Sequence, residues 1–166
     1  AESVKKSMEI NDAGYTFSQG LEELRIEIAK KYANDYGVKI LPEQVLVSNG
    51  SSLLLYLAIR ILAPPGSQVI LTDPCYACYE NVVRLAGAEP VMIKLRHEDG
   101  FQLNVDDLKK RVTPKTRAML INSPMNPTGV VFSSEVMKAL AELDIPVISD
   151  EIYADLSFED PPCSFL

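Results

Sequence analysis

Arg117-Ala118-Met119-Leu120-Ile121 runs directly into Asn122-Ser123-Pro124-Met125-Asn126-Pro127-Thr128-Gly129. The first part is a short, nearly all-apolar run, which suits a strand buried on both faces. The second part has two prolines and a glycine within eight residues, so it forms an irregular loop that is neither helix nor ladder. The same grammar repeats on either side. Val45 to Val47 ends in Ser48-Asn49-Gly50-Ser51-Ser52 and opens a helix, Leu53 to Leu62. Val69-Ile70-Leu71 ends at Asp73-Pro74, and a helix follows to about Ala86, stopped by Gly87. Val91 to Leu95 is a further strand, and Ile145 to Ile148 is another, ending in Ser149-Asp150. Strands alternating with helices of this length imply an α/β fold with a mostly parallel sheet and helices on both faces.

The remaining elements carry local start and stop signals. Leu21, Leu24, Ile28, Tyr32 and Tyr36 mark one face of a helix that Gly37 ends. Asn104 caps a helix from Val105 to Arg111, and Ser133 or Ser134 caps one running to about Leu143. Residues 1–13 are polar with little periodicity and read as a lead-in segment, with residues 14–166 forming one domain. No repeat, low-complexity tract or Gly/Ser linker divides the chain.

Composition narrows the function classes. The 166 residues are 47% hydrophobic and 23% charged, enough for one domain with a core. The formal net charge is −7, so a basic footprint for nucleic acid is lacking. No apolar run is long enough to span a bilayer, and the first residues lack the apolar core of a secretory signal. The three cysteines, Cys75, Cys78 and Cys163, are too few and too uneven for a disulfide framework. These features point to a cytoplasmic protein that binds neither membrane nor nucleic acid.

In an open parallel sheet, ligands bind beyond the carboxyl ends of the strands, and here those ends carry the polar residues. Gly50-Ser51-Ser52 at a helix start offers free N–H groups and hydroxyls to an anion; the same residues also suit an ordinary helix cap. Asn126 is held in a stiff loop, where its amide serves a ring oxygen or a carboxylate, or simply forms the turn. Asp150 ends an apolar strand, where a carboxylate needs a donor or a cationic partner; a ligand cation fills that role, and so does a plain turn cap. Cys75 and Cys78 form a CxxC after a strand and before a helix, the context of thioredoxin-like redox pairs or half of a zinc site, yet a second pair of zinc ligands is missing, and small residues at a helix start is the preferred reading. Tyr76 presents an aromatic that suits a flat ring. Walker, dinucleotide and nucleophile-elbow motifs are absent, and the single histidine, His97, sits in the polar loop Arg96-His97-Glu98-Asp99-Gly100.

Taken in this order, Asn122 to Gly129 and Ser149-Asp150-Glu151-Ile152-Tyr153 resemble the large domain of the class I/II aminotransferases, fold-type I pyridoxal-phosphate-dependent enzymes. Tyr15-Thr16-Phe17-Ser18-Gln19-Gly20-Leu21, Leu24-Arg25 and Pro65 to Leu71 support the resemblance, which covers Tyr15 to Tyr153. It implies that Asp150 pairs with the pyridinium nitrogen of pyridoxal 5′-phosphate and keeps the ring an electron acceptor. Asn126 and Tyr153 would donate to the ring's phenolic oxygen. Gly50, Ser51 and Ser52 would hold the phosphate, Tyr76 would stack on the ring, and Tyr15 would reach the phosphate of the neighbouring subunit of a homodimer. The implied substrates are an amino acid and a 2-oxo acid.

The resemblance also locates what the chain lacks. The family's Schiff-base lysine follows the aspartate by a few tens of residues, whereas the last lysine here is Lys138, before Asp150. The family's substrate-binding arginine belongs to a later small domain. The chain therefore resembles a partial large domain, truncated before its last strands and inactive alone. Its Ile145–Ile148 strand would become an exposed apolar edge that invites association, and Val45–Val47 would lose its neighbour. Alternatives on the same scaffold are a lyase or a decarboxylase, and a non-catalytic fragment is a third expectation.

Overall fold

The apolar runs assemble as a parallel sheet in a computed structural model that describes residues 2–10, 14–156 and 164–165. The strands are β1 (Gln68–Asp73), β2 (Glu89–Lys94), β3 (Thr116–Asn122) and β4 (Val147–Asp150), in spatial order β2-β1-β3-β4 with every pairing parallel. The register sets Asn122 beside Asp150 and Ile70 beside Met119. The helices are α1 (Glu2–Glu9), α2 (Glu22–Tyr36), α3 (Ser51–Leu62), α4 (Cys78–Leu85), α5 (Val105–Arg111) and α6 (Ser134–Ala141). The chain divides into two compact units, residues 1–49 and 50–166.

Within residues 50–166, alternation along the strands explains why the runs had to be apolar throughout. Val69, Leu71, Ala118 and Leu120 face one way and pack with Leu55, Ile59 and Ala63 of the α3 region and Tyr79 and Val83 of α4. Ile70, Met119 and Ile121 face the other way, onto Leu108 of α5 and Val136, Met137 and Leu140 of α6. A strand with helices on both sides has no solvent face, and its side-chain period of two serves two cores. Most of these side chains are fully buried.

Local signals held where they were strongest. Asn104 accepts a hydrogen bond from the Asp107 N–H (3.1 Å), and Ser133 accepts one from the Val136 N–H (3.4 Å). Gly37 ends α2 at φ +68°, and its N–H donates to the Ala33 carbonyl. Pro90 shows why β2 begins before Val91: β2 is an edge strand, where a residue without an N–H is tolerated.

Within residues 1–49 one expectation fails, that of a strand at Val45–Val47, and two features go beyond the sequence pattern. The lead-in contains α1, a helix without a buried face that an apolar pattern could not announce. Val45–Val47 is not a strand. Val45 is extended, and the Val47 N–H donates to the Gln19 carbonyl (2.9 Å), but no described strand lines up with it. α2 forms where the spacing places it; along it Arg25 and Ala29 are buried, Ile28, Tyr32 and Tyr36 are half-buried, and Leu21 and Leu24 stay exposed. The Arg25 guanidinium donates to the Pro42 carbonyl (3.0 Å) and the Gln19 amide oxygen (3.4 Å).

Candidate functional site

The carboxyl ends of β1, β3 and β4 lie along one edge of the sheet because the three strands run parallel. The start of α3 reaches the same edge. α3 returns to the amino end of β1 through the short turn at Pro64–Ser67 and packs along the strands. A 12-residue helix is about 18 Å long, close to the roughly 20 Å of a six-residue strand. Gly50, Ser51 and Ser52 therefore open onto the edge that carries Asp150.

Gly50 has φ +112° and ψ +162°, backbone that is essentially reserved for glycine. A Cβ there would meet nothing within 4 Å, so the site in front of it is open. The helix begins at Ser51 rather than Leu53, and no side chain caps it. Of the two readings of this segment, the side-chain cap fails. Ser51 and Ser52 are exposed beside the uncapped N–H groups.

Asp150 is half-buried at the tip of β4. Its Oδ2 accepts the Tyr79 hydroxyl at 2.7 Å, and its Oδ1 accepts the Ile152 N–H at 3.3 Å. The needed donor is thus Tyr79, which the sequence reading missed, and no cation pairs with Asp150 among the described residues. Tyr79 is only 2% exposed. Burial, followed by the hydrogen bond to Asp150 and its charge, pushes the Tyr79 phenol far above the usual tyrosine range. Tyr79 lies in the first turn of α4, 71 residues from Asp150, and no local signal in the sequence pairs the two.

Asn122 is a second missed residue. Buried at the end of β3, it donates through its amide to the Asp150 carbonyl (2.8 Å) and accepts the Asn126 N–H (2.7 Å). One side chain thereby ties the β4 tip to the Asn126 loop. The Asn126 amide stands 3.4 Å from the Tyr153 hydroxyl, so both reach the same place. The peptide bonds before Pro74, Pro124 and Pro127 are cis. Tyr76 is exposed, with its ring edge-on to Tyr79 (centroids 5.5 Å, 81°).

Tyr15 lies in the first unit, fully exposed, in a shallow groove with Phe17 and Leu21. Cys75 and Cys78 are free thiols, and burial, then Asp73 and Glu80, push the Cys75 thiol up, against thiolate chemistry. Cys163 lies outside the described residues. Among the described residues there is no cluster of His, Cys, Asp and Glu fit for a metal ion, and no helix is long and apolar enough to cross a membrane.

A parallel α/β sheet with a carboxylate and an amide at its strand tips and an uncapped helix start is an α/β domain whose polar groups suit a cationic or donor group at one place and an anion at another. The family model described as aminotransferase class I and II matches residues 2–166, and the chain belongs to that family. It is 36% identical over 164 residues to the aspartate aminotransferase of Sulfolobus acidocaldarius, covering 95% of this chain and 41% of the relative. It is 38% identical over 157 residues to that of Geobacillus stearothermophilus, covering 92% and 40%. Among solved structures, the Thermus thermophilus aspartate aminotransferase with maleate superposes at a TM-score of 0.91, with 33% identity over 98% of this chain and 44% of the other. The Pyrococcus furiosus alanine aminotransferase superposes at 0.89, with 32% identity over 98% and 42%. The chain thus spans about 40% of the length of the relatives named first.

Members of this family use pyridoxal 5′-phosphate. The residues present fit it. An uncapped helix start with an open glycine suits the phosphate, a carboxylate without a cationic partner suits the ring nitrogen, and an amide and a hydroxyl together suit the ring oxygen.

Proposed function

We propose that this chain is the cofactor-holding part of an aminotransferase that moves the amino group of aspartate to a 2-oxo acid. One observation carries the reading: the Asp150 carboxylate, held at a strand tip by a neutral donor, shares a sheet edge with the Asn126–Tyr153 pair and the open start of α3. Bound pyridoxal 5′-phosphate supplies a protonated pyridine ring that accepts electrons from the carbon bearing the amino group. Asp150 holds the proton on the ring nitrogen. Asn126 and Tyr153 donate to the ring oxygen. Gly50, Ser51 and Ser52 donate backbone and hydroxyl hydrogens to the phosphate, and Tyr76 covers one face of the ring. Tyr15, exposed in the first unit, serves the phosphate of the second subunit in a homodimer. The aspartate donor rests on the names of the relatives.

Two measurements test this. Pyridoxamine 5′-phosphate, which needs no covalent link, is titrated onto the chain by calorimetry; saturable binding that falls when Asp150 becomes Ala supports the reading, and no binding contradicts it. The full-length gene product is assayed for transfer from aspartate; transfer from alanine but not aspartate moves the donor, and none from any amino acid refutes the activity.

A further inference from the structure

Asp150 is the charge read here as facing a pyridine nitrogen, so what holds that carboxylate matters. A carboxylate at a strand tip turns easily, because the terminal torsion of Asp is broad. Here both oxygens are engaged: Oδ2 by the Tyr79 hydroxyl (2.7 Å) and Oδ1 by the Ile152 N–H (3.3 Å). Tyr79 cannot swing away. It is 2% exposed, packed with Leu55, Ile59, Val83 and Leu120, with the Tyr76 ring edge-on to its own.

The kind of partner also matters. A lysine or arginine in this place would cancel the charge of Asp150 and compete with a protonated ring. A phenol orients the carboxylate and leaves its negative charge intact. Each carboxylate oxygen keeps a second lone pair for a further donor.

We propose that Tyr79 is a positioning residue: its hydroxyl fixes the Asp150 carboxylate so that its free lone pairs and full charge meet the pyridinium N–H. This rests on the reading that Asp150 faces the ring nitrogen. Burial keeps the phenol protonated, so it remains a donor throughout the working pH range.

The test compares two ligands that differ at one ring atom: pyridoxamine 5′-phosphate, and its 1-deaza analogue with carbon in place of the ring nitrogen. Both are titrated onto the chain, onto Tyr79→Phe, onto Asp150→Asn and onto the double variant. The unaltered chain is expected to prefer the pyridine. Tyr79→Phe is expected to cut that preference roughly tenfold, the scale of one hydrogen bond to a charged group, while the affinity for the deaza ring holds. In the Asp150→Asn background, Tyr79→Phe is expected to change the preference no further. If Tyr79→Phe leaves the preference intact, or weakens both ligands equally, Tyr79 is a packing residue and the inference fails alone. If the unaltered chain binds both ligands equally, or neither, the assignment of Asp150 fails and takes the inference with it.

Discussion

Replacing Gly50 by alanine perturbs the anion-binding end of the site through the backbone alone. An added Cβ meets nothing within 4 Å, so no clash contributes. The cost comes from φ +112° and ψ +162°, where an L-residue pays about 1–3 kcal/mol. The chain has two ways to respond. It can keep the geometry and lose that stability, or it can rotate Gly50 into an ordinary region and turn the first N–H groups of α3 away from the phosphate. With a urea slope of about 2 kcal/mol/M, the first response lowers the unfolding midpoint by roughly 0.5–1.5 M. The second keeps the midpoint and lowers pyridoxamine 5′-phosphate affinity by an amount that grows with phosphate contact. Urea unfolding followed by circular dichroism, paired with calorimetric titration, reads both. Ser51→Ala is the control, since it removes one hydroxyl donor worth about 1 kcal/mol and leaves the backbone unstrained. A Gly50→Ala chain with unchanged midpoint and unchanged affinity would refute the reasoning.

Gly20→Ala is expected to be worse than Gly50→Ala for folding, because φ is +94° and its Cβ would sit 2.6 Å from the Val47 Cβ; a smaller drop in urea midpoint would contradict this. Asn122→Ala removes the donor to the Asp150 carbonyl and the acceptor of the half-buried Asn126 N–H, so a loss of about 1–2 kcal/mol is expected, together with weaker cofactor binding as the Asn126 loop loosens. Tyr79 gives a pH dependence. Its folded pKa lies above its unfolded value of about 10, so the native state holds the proton more tightly and stability declines as pH rises above about 10. Tyrosinate absorbance should show one of the seven tyrosines ionising only with unfolding, and the Tyr79→Phe chain should lose that part of the alkaline decline. β4 half-buries its residues and has no described strand on its outer side, so concentration-dependent association is expected by sedimentation; a monomer at all concentrations would contradict an available edge.

Legibility followed the range of the interactions. The strands were legible because each of β1 and β3 must satisfy two cores, which makes the run apolar without alternation. The caps at Asn104 and Ser133 were legible because their hydrogen bonds span three residues. The loops at Asn126 and Asp150 stood out because they are polar where strands end, and the one at Gly50 because it is polar between an apolar run and a helix. What stayed hidden depends on distant partners. Tyr79 and Asp150 are 71 residues apart, and nothing in either neighbourhood names the other. Val45–Val47 has strand-like residues, but a strand also needs a neighbour. The apolar stripe on α2 was visible, yet Leu21 and Leu24 remain exposed, so periodicity marked a face without saying what covers it. The cofactor itself came only through resemblance, since spacing and burial describe an acid, an amide and an anion site and do not identify the molecule that joins them.

The most direct measurement follows the ring nitrogen itself. Pyridoxamine 5′-phosphate labelled with nitrogen-15 in the ring is bound to the chain, and its shift is titrated by NMR beside the free ligand and the Asp150→Asn complex. Bound ligand should keep its ring proton to higher pH than free ligand, and the Asn variant should abolish the difference. A bound nitrogen that loses its proton at the same pH as the free ligand, with or without the Asp150 carboxylate, would contradict the account.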